Sequence, residues 1–120
     1  MAGVARLQAK LSIQLQGQLL TPEAPVDVAL AIDEGSTGVK QVATGQTDQA
    51  LTAPGIVTFS GVYLLADQDI SIKLGATGSN VAFTLSAGYP LTLLGTSLTT
   101  ISLSNASGST ANVTYALVGT

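Results

Sequence analysis

The sequence predicts an all-β domain, either an antiparallel β-sandwich or a jelly roll of about eight to ten short strands, with an extended N-terminal strand or arm. Three observations carry this prediction. Apolar residues recur at every second position in segment after segment, which is the period of a strand with one buried face. Gly, Pro, Asn and Asp punctuate these segments about every 8–12 residues, a spacing typical of sandwiches and barrels. No segment has an apolar period that favours a helix longer than one turn.

The N-terminal segment, residues 4–16, alternates without interruption between apolar and polar residues. The apolar positions are Ala5, Leu7, Ala9, Leu11, Ile13 and Leu15. A helix would scatter them around its circumference, so the alternation favours a strand although several are good helix formers. A strand of thirteen residues would span roughly 43 Å, more than the roughly 35 Å diameter of a compact domain of this size. The segment therefore either bends or extends beyond its own domain. Two alternatives follow: a long hairpin strand within one domain, or an arm that pairs with a neighbouring subunit's sheet.

We predict an arm at residues 1–20 and a β-sandwich domain at residues 21–120, because glycine and two prolines interrupt the alternation within 17–25. Alternating or β-branched segments predict strands at 26–32, 39–44, 57–66, 70–74, 81–85, 91–94, 98–103 and 113–117. Turn-forming residues predict connections at 34–38, 45–48, 75–80, 87–90 and 105–110. Residues 49–55 fit either a strand or a loop. Gly61 indicates a bulge or bend.

The chain is poor in charge, which bears on what covers its surface. Only 9% of its 120 residues are charged, against roughly 25% in typical soluble domains. A neutral polar surface loses little solvation when a neighbour covers it, whereas a charged surface loses much. We therefore expect other subunits to cover much of the surface, and a Thr-rich monomer is the alternative.

The charge balance also excludes classes of partner. The net charge is −3, from Arg6, Lys10, Lys40 and Lys73 against seven carboxylates. No basic stripe exists to meet a phosphate backbone, so we expect no nucleic acid partner. The longest apolar runs, such as 28–32 and 62–66, are far too short to span a bilayer, so we expect no membrane partner.

The side chains that most enzymes use are missing. The chain contains no His and no Cys, so nucleophile systems built on either residue cannot form. Asp67 and Asp69, together with Asp33 and Glu34, could contribute ligands to Ca²⁺. That ion takes about six to eight oxygens, however, so a solvated loop is the favoured interpretation. We predict no enzyme, no catalytic or metal-binding residue and no cofactor.

Two smaller patterns have ordinary explanations. Residues 105–107 (Asn-Ala-Ser) and 112–114 (Asn-Val-Thr) match the N-glycosylation acceptor pattern, which a Ser/Thr-rich chain produces by chance. Tyr63, Tyr89 and Tyr115 could stack on sugars, but packing in the core or at an interface is favoured because the chain has so few aromatic residues.

The C-terminal half carries a family resemblance. Its segments are Gly-Val-Tyr-Leu-Leu-Ala-Asp-Gln-Asp-Ile-Ser-Ile-Lys-Leu at 61–74, Pro-Leu-Thr-Leu-Leu-Gly-Thr at 90–96, and a strand–loop–strand at 98–120 with Asn-Ala-Ser-Gly-Ser-Thr-Ala in its loop. Over residues 56–120 the pattern resembles the small β-sandwich virion proteins of tailed bacteriophages, namely capsid decoration (cement) proteins and small tail or fibre proteins. The resemblance implies a symmetric homo-oligomer, often a trimer, that binds a capsid or tail and lacks enzymatic residues. It assigns no individual functional residue.

These observations predict a structural virion protein that binds and stabilises a phage capsid. We expect it to bind the major capsid protein or other virion proteins by oligomeric surface burial and N-terminal strand pairing. The expected partner-binding residues of the arm are Leu7, Leu11, Ile13 and Leu15. The alternative is a receptor- or carbohydrate-binding module of a tail or fibre, which would bind through the loops 34–38, 75–80 and 105–110. Both place the protein in the virion, on the capsid surface or the tail.

Overall fold

The computed structural model describes residues 3–9, 13–15, 18–20, 26–32, 34–76 and 79–120. These residues form twelve β-strands and no helix, so the predicted all-β class is confirmed. The strands are β1 (Gly3–Ala9), β2 (Ile13–Leu15), β3 (Gln18–Leu20), β4 (Val26–Ile32), β5 (Glu34–Val42), β6 (Gln49–Ala50), β7 (Phe59–Ala66), β8 (Ile70–Ala76), β9 (Ser79–Leu85), β10 (Leu91–Leu98), β11 (Thr100–Ser104) and β12 (Ala111–Gly119).

Strands β5 to β12 form two four-stranded antiparallel sheets. Sheet I has the order β10-β7-β12-β5, and sheet II has the order β6-β11-β8-β9. Apart from the β8–β9 hairpin, successive strands alternate between the two sheets, which is the strand order of an eight-stranded jelly roll. The prediction left open a jelly roll or another sandwich, and the strand order selects the jelly roll.

The core lies between the two sheets and consists almost entirely of aliphatic side chains. Alternate residues along each strand point inward, as the period of two predicts. The most deeply buried are Val42, Leu64, Ile70, Ile72, Ile101, Leu103, Val113 and Leu117. Full burial of such a side chain contributes roughly 1.5–3 kcal/mol, so the inner faces hold the sandwich together without disulfides.

The N-terminal strands form antiparallel pairs of their own. β1 pairs with β4, from Gly3 opposite Ile32 to Ala9 opposite Val26, and β2 pairs with β3. We call the β1–β4 pair the ribbon. The segment 4–16, predicted as one alternating run, therefore contributes to two described strands, each paired within the chain. Residues 10–12 and 16 lie outside the described residues. β4 lies within the predicted 21–120 domain but pairs with β1 of the predicted arm. Both sheets of the sandwich lie within 34–119.

The predicted turn at 34–38 is wrong, because these residues lie within β5 and pair with β12. Gly38 has a different role there. Gly38 lies opposite Tyr115, and a Cβ on Gly38 would come within 2.9 Å of the tyrosine hydroxyl. The glycine makes room for an aromatic ring beside a strand and does not reverse the chain.

Elsewhere the predicted strands and irregularities correspond closely to the structure. Each predicted strand from residue 39 onward overlaps an observed one, and the open segment 49–55 resolves into the short β6 followed by a loop. The bulge expected near Gly61 lies at its neighbour Ser60, because Val118 pairs with Gly61 while Gly119 pairs with Phe59.

Candidate assembly surface

The outer face of sheet I, which points away from the core, carries apolar and neutral residues. Strand register assigns residues to this face, because residues directly opposite each other share one side of a sheet. Its larger apolar members are Val39, Tyr63, Leu65, Leu94, Ala116 and Val118. Most are only partly exposed, whereas Val39, on the edge strand β5, is 62% exposed. No charged residue of the four strands falls on this face.

The outer face of sheet II differs in kind, since small hydroxyl residues dominate it. Its members include Ser71, Lys73, Ala82, Thr84, Thr100, Ser102 and Ser104. The lysine ammonium lies 3.0 Å from the Asp48 carboxylate, and both side chains are half exposed. This face is suited to contact with water, and the outer face of sheet I is more apolar.

The ribbon lies beside the outer face of sheet I. Residues 5–7 of β1 line a cleft of about 210 Å³ together with residues of β7, β10 and β12. Within β1, Ala5 and Leu7 are partly buried, while Val4, Arg6 and Gln8 are exposed. The predicted alternation of this segment is thus confirmed for residues 4–8, and its apolar side is the side turned to the protein.

Gly61 completes the floor of this cleft. A Cβ at this position would come within 2.6 Å of Val118 Cγ2 and 2.9 Å of Leu94 Cδ1. The missing side chain lets the neighbouring valine and leucine close over β7. The three strands therefore present one continuous apolar floor.

The four predicted partner-binding residues lie in different parts of the structure. Leu7 lies in β1 and lines the cleft against sheet I. Ile13 and Leu15 lie in β2, opposite Leu20 and Gln18 of β3. Leu11 falls outside the described residues. Leu7 therefore faces sheet I of its own chain, and only the backbone positions of Ile13 and Leu15 are described. Their binding of a partner stays a prediction.

The floor of the cleft was missed by reasoning from sequence, although a signal for it exists. Residues 62–65 of β7 and 115–118 of β12 are runs of consecutive apolar residues. A strand with one wet face alternates, whereas a strand covered on both faces is apolar throughout. These runs mark the two central strands of sheet I as strands with two covered faces.

The acidic pair Asp67 and Asp69 ties loops to strands. The Asp67 carboxylate accepts hydrogen bonds from Asn112 N at 2.7 Å and Asn112 Nδ2 at 2.9 Å. These bonds hold the pKa of Asp67 below its usual value. Asp69 Oδ1 accepts a hydrogen bond from Ala87 N at 2.8 Å. Among the described residues, no group of three or more His, Cys, Asp or Glu side chains is placed to hold a metal ion.

Asn105 is an internal anchor for the loop that follows β11. Its side chain is buried, and Nδ2 donates to the carbonyl oxygens of Val42 and Ser109, each at 2.8 Å. Its Oδ1 accepts from Ser107 N at 2.9 Å and Ser107 Oγ at 2.7 Å. The amide that a glycan would modify is therefore fully engaged inside the fold, so the glycosylation pattern at 105–107 has a structural explanation.

The three loops of the carbohydrate-binding alternative do not form one surface. Residues 34–38 belong to β5. In sheet II, Thr100 lies opposite Gly75 and Ser104 lies opposite Ser71. The hairpin at 75–80 and the loop at 105–110 therefore lie at opposite ends of the sandwich.

No protein-family model, curated protein or solved structure matches the chain. Within the described part of the chain, no helix has the length and hydrophobicity that crossing a membrane would require.

Proposed function

We propose that the protein is a structural subunit of a tailed-bacteriophage particle, a decoration (cement) protein that binds the capsid through the ribbon and the outer face of sheet I. The observation that carries the proposal is the uncharged, largely apolar outer face of sheet I, with the ribbon set beside it. We define these two elements together as the assembly surface.

The energetics of the assembly surface favour a partner. Apolar area that leaves water contributes about 25 cal/mol per Å², and the neutral polar residues among it cost little to desolvate. The cleft between Leu7 and Val118 leaves apolar side chains incompletely packed. A capsid subunit that fills this space would gain contacts that the isolated chain lacks.

The ribbon supplies a second kind of contact. A two-stranded ribbon is marginally stable on its own in water, and β1 and β4 have no strand partner other than each other among the described residues. The edge of β4 can therefore accept a strand of a capsid subunit. Each contact is modest, but a decoration protein binds in many copies, and linked weak contacts add strongly.

The chemistry of the remaining surface also favours binding over catalysis. The chain contains no His and no Cys. Asp67 and Asp69 hold backbone groups of neighbouring segments, and Asp48 forms an ion pair with Lys73. These carboxylates accept hydrogen bonds from neighbouring segments or pair with a lysine, so their roles are structural, as expected of a structural subunit.

The test is co-sedimentation with capsids and, separately, with tails purified from the tailed phage whose genome encodes the chain. The variant Ala116→Asp places a charge on the outer face of sheet I, and Ser102→Asp places the same charge on the outer face of sheet II. We expect Ala116→Asp to weaken capsid binding at least about tenfold and Ser102→Asp to leave it unchanged. Circular dichroism confirms that each variant is folded before binding is measured.

Three results would overturn the proposal as stated. Binding to tails alone would move the protein to the tail. Binding to neither particle, with specific binding to a glycan array, would establish the carbohydrate-binding alternative. Equal effects of the two aspartates would show that sheet I is not the contact face.

A further inference from the structure

The two sheets have four edge strands, and edges present unpaired backbone groups that other strands can join. The edge strands are β10 and β5 in sheet I and β6 and β9 in sheet II. Proteins usually protect such edges with short strands, bulges or charged side chains, because an unprotected edge pairs with another chain.

Three of the four edges carry such protection. β6 has only two residues. β10 loses its register against β7 between Leu94 and Leu98, where Gly95 has a φ of 84°. In β5, Lys40 lies opposite the buried Val113, so the edge carries a charged residue on its core side.

β9 carries none of these protections. Its seven residues pair with β8 in unbroken register, from Ile70 opposite Leu85 to Ala76 opposite Ser79. Its sequence, Ser-Asn-Val-Ala-Phe-Thr-Leu, contains no charge, no proline and no glycine. Val81 in this strand is 62% exposed, although it lies opposite the buried Leu74. Among the edges of the described strands, this one alone lacks such protection, and it leaves an apolar side chain exposed.

The hydrogen bonds of β8 determine which backbone groups of β9 face outward. The Gly75 carbonyl accepts a bond from Thr99 N at 2.8 Å, so the backbone groups of Gly75 point toward β11. Asn80, opposite Gly75, therefore turns its own N–H and C=O away from β8. Because this orientation alternates along a strand, Ala82 and Thr84 also turn theirs to the open edge.

We propose that two copies of this chain pair through β9, antiparallel, with the two-fold axis at Ala82. Antiparallel pairing of a strand with itself is self-complementary, as a two-fold interface requires. This register aligns the outward groups of Ala82 with those of Ala82 in the second copy, and those of Asn80 with Thr84. About six inter-chain hydrogen bonds result, and the two copies of sheet II become one continuous sheet.

The same register explains the exposure of Val81. It lies opposite Phe83 of the second copy, and pairs of an aromatic and a β-branched residue are among the favourable cross-strand contacts. Phe83 is itself only partly buried against the core. A shift of the register by one residue would remove this pairing. The side-chain contact and the outward backbone groups therefore favour the same register.

Charge does not oppose the pairing. The nearest charged residue on the outer face of sheet II is Lys73, opposite Ala82. Three strand spacings would separate the lysines of the two copies by about 14 Å, beyond the screening length of about 8 Å at physiological ionic strength. Each lysine also has Asp48 as its own counter-charge.

Single cysteines test the proposed register, because the chain has no cysteine of its own. In the dimer the Cα atoms at position 82 lie about 5.5 Å apart, within the range of about 4.4–6.8 Å that a disulfide spans. The Cα atoms at position 80 lie more than about 13 Å apart. We expect Ala82→Cys to form a disulfide-linked dimer on mild oxidation and the matched control Asn80→Cys to stay uncross-linked. Equal cross-linking of both variants, or of neither, would overturn the proposal.

Sedimentation velocity over a range of concentrations supplies the second readout. We expect the 12.0 kDa chain to form a reversible dimer, which Ala82→Glu weakens at least about tenfold because two carboxylates meet at the axis. The matched control Gln41→Glu adds the same charge to the outer face of β5 and should leave the dimer intact. A wild-type monomer at every concentration, or a trimer that Ala82→Glu leaves unchanged, would overturn the proposal. If Ala82→Glu does not fold, the uncharged cysteine pair decides.

This interface does not depend on the proposed capsid binding. β9 is an edge of sheet II, whereas the assembly surface belongs to the ribbon and sheet I. Failure of the cysteine test leaves the co-sedimentation result intact, and failure of capsid binding leaves the dimer intact.

Discussion

Side chains alternate between the inner and outer faces in both sheets of the sandwich, but the two outer faces differ in polarity. On sheet II, inward residues are apolar and outward residues are mostly hydroxyls, so the strands are typical of a sheet with one wet face. On sheet I, the central strand β7 carries apolar residues on both sides, and so does β12 between Tyr115 and Val118. A strand with two apolar faces indicates two covered faces. The comparison identifies sheet I as the side with the more apolar outer face.

The largest expected effect contrasts the two sides of one strand. Leu64 and Leu65 are neighbours in β7, the first fully buried in the core and the second on the outer face. Leu64→Ala should cost about 2–5 kcal/mol of unfolding free energy, and Leu65→Ala about 1 kcal/mol. Urea denaturation measures both. A cost for Leu65→Ala below about 0.5 kcal/mol, the usual range of ordinary surface positions, would show that sheet I has a wet outer face after all.

The next effect compares the same charge on the two outer faces. Ala116→Asp should destabilise the isolated chain by about 1–3 kcal/mol, because the carboxylate enters a partly buried apolar floor without a partner. Ser102→Asp should change stability by less than about 0.5 kcal/mol, since the new carboxylate lies opposite Lys73. Thermal unfolding of the pair measures the difference. Equal destabilisation by the two aspartates would show that the two outer faces do not differ in polarity as described.

A smaller effect tests how the ribbon meets sheet I. Leu7 is partly buried and lines the cleft with Val118 and Leu94. Leu7→Ala should cost about 1 kcal/mol, whereas Val4→Ala, on the exposed side of the same strand, should cost less than about 0.5 kcal/mol. Chemical denaturation distinguishes them. Equal costs would mean that the ribbon does not use its apolar side against the sandwich.

The smallest effect concerns two exposed polar contacts, one just beyond the end of β7 and one on the outer face of sheet II. Hydrogen bonds from Asn112 keep the folded pKa of Asp67 below its unfolded value. Its contribution to stability is therefore present above the unfolded pKa and is lost as pH falls through the folded pKa. Asp67→Asn should reduce the loss of stability below about pH 4. The control Lys73→Gln breaks an exposed ion pair and should shift stability by at most about 1 kcal/mol. An unchanged acid profile in Asp67→Asn would contradict the assignment.

Much of the fold follows from the sequence because alternation is a local property. The strands from residue 57 onward could be located to within a few residues. Gly38 led to the wrong prediction of a turn, because a glycine that reverses the chain and one that makes room for Tyr115 look alike without the opposing strand. The burial of Asn105 was hidden for the same reason: its partners on Val42 and Ser109 are set by tertiary pairing.

One part of the candidate assembly surface could be predicted from the sequence, and the other part could not. The apolar side of the arm was predictable, since Leu7 belongs to an alternating segment. The surface that it faces was not predicted, because alternation alone does not reveal which strands lie beside one another. The open edge of β9 required the sheet order, which depends on long-range pairing.

The expected oligomer and the proposed dimer differ in symmetry. The family resemblance leads us to expect a symmetric oligomer, often a trimer, whereas pairing through β9 is two-fold. Capsid binding is assigned to the ribbon and sheet I, and the dimer is assigned to the edge of sheet II, so the two can be tested separately. The mass in solution therefore reports on β9, and the arrangement on the particle reports on sheet I.

The most direct test of the central claim is hydroxyl-radical footprinting of the protein, free and bound to capsids. On binding, oxidation should fall at Tyr63, Leu65 and Leu94 on the outer face of sheet I, and stay unchanged at Lys73 and Thr84 on the outer face of sheet II. Protection of sheet II with no change at sheet I would contradict the assignment of the assembly surface.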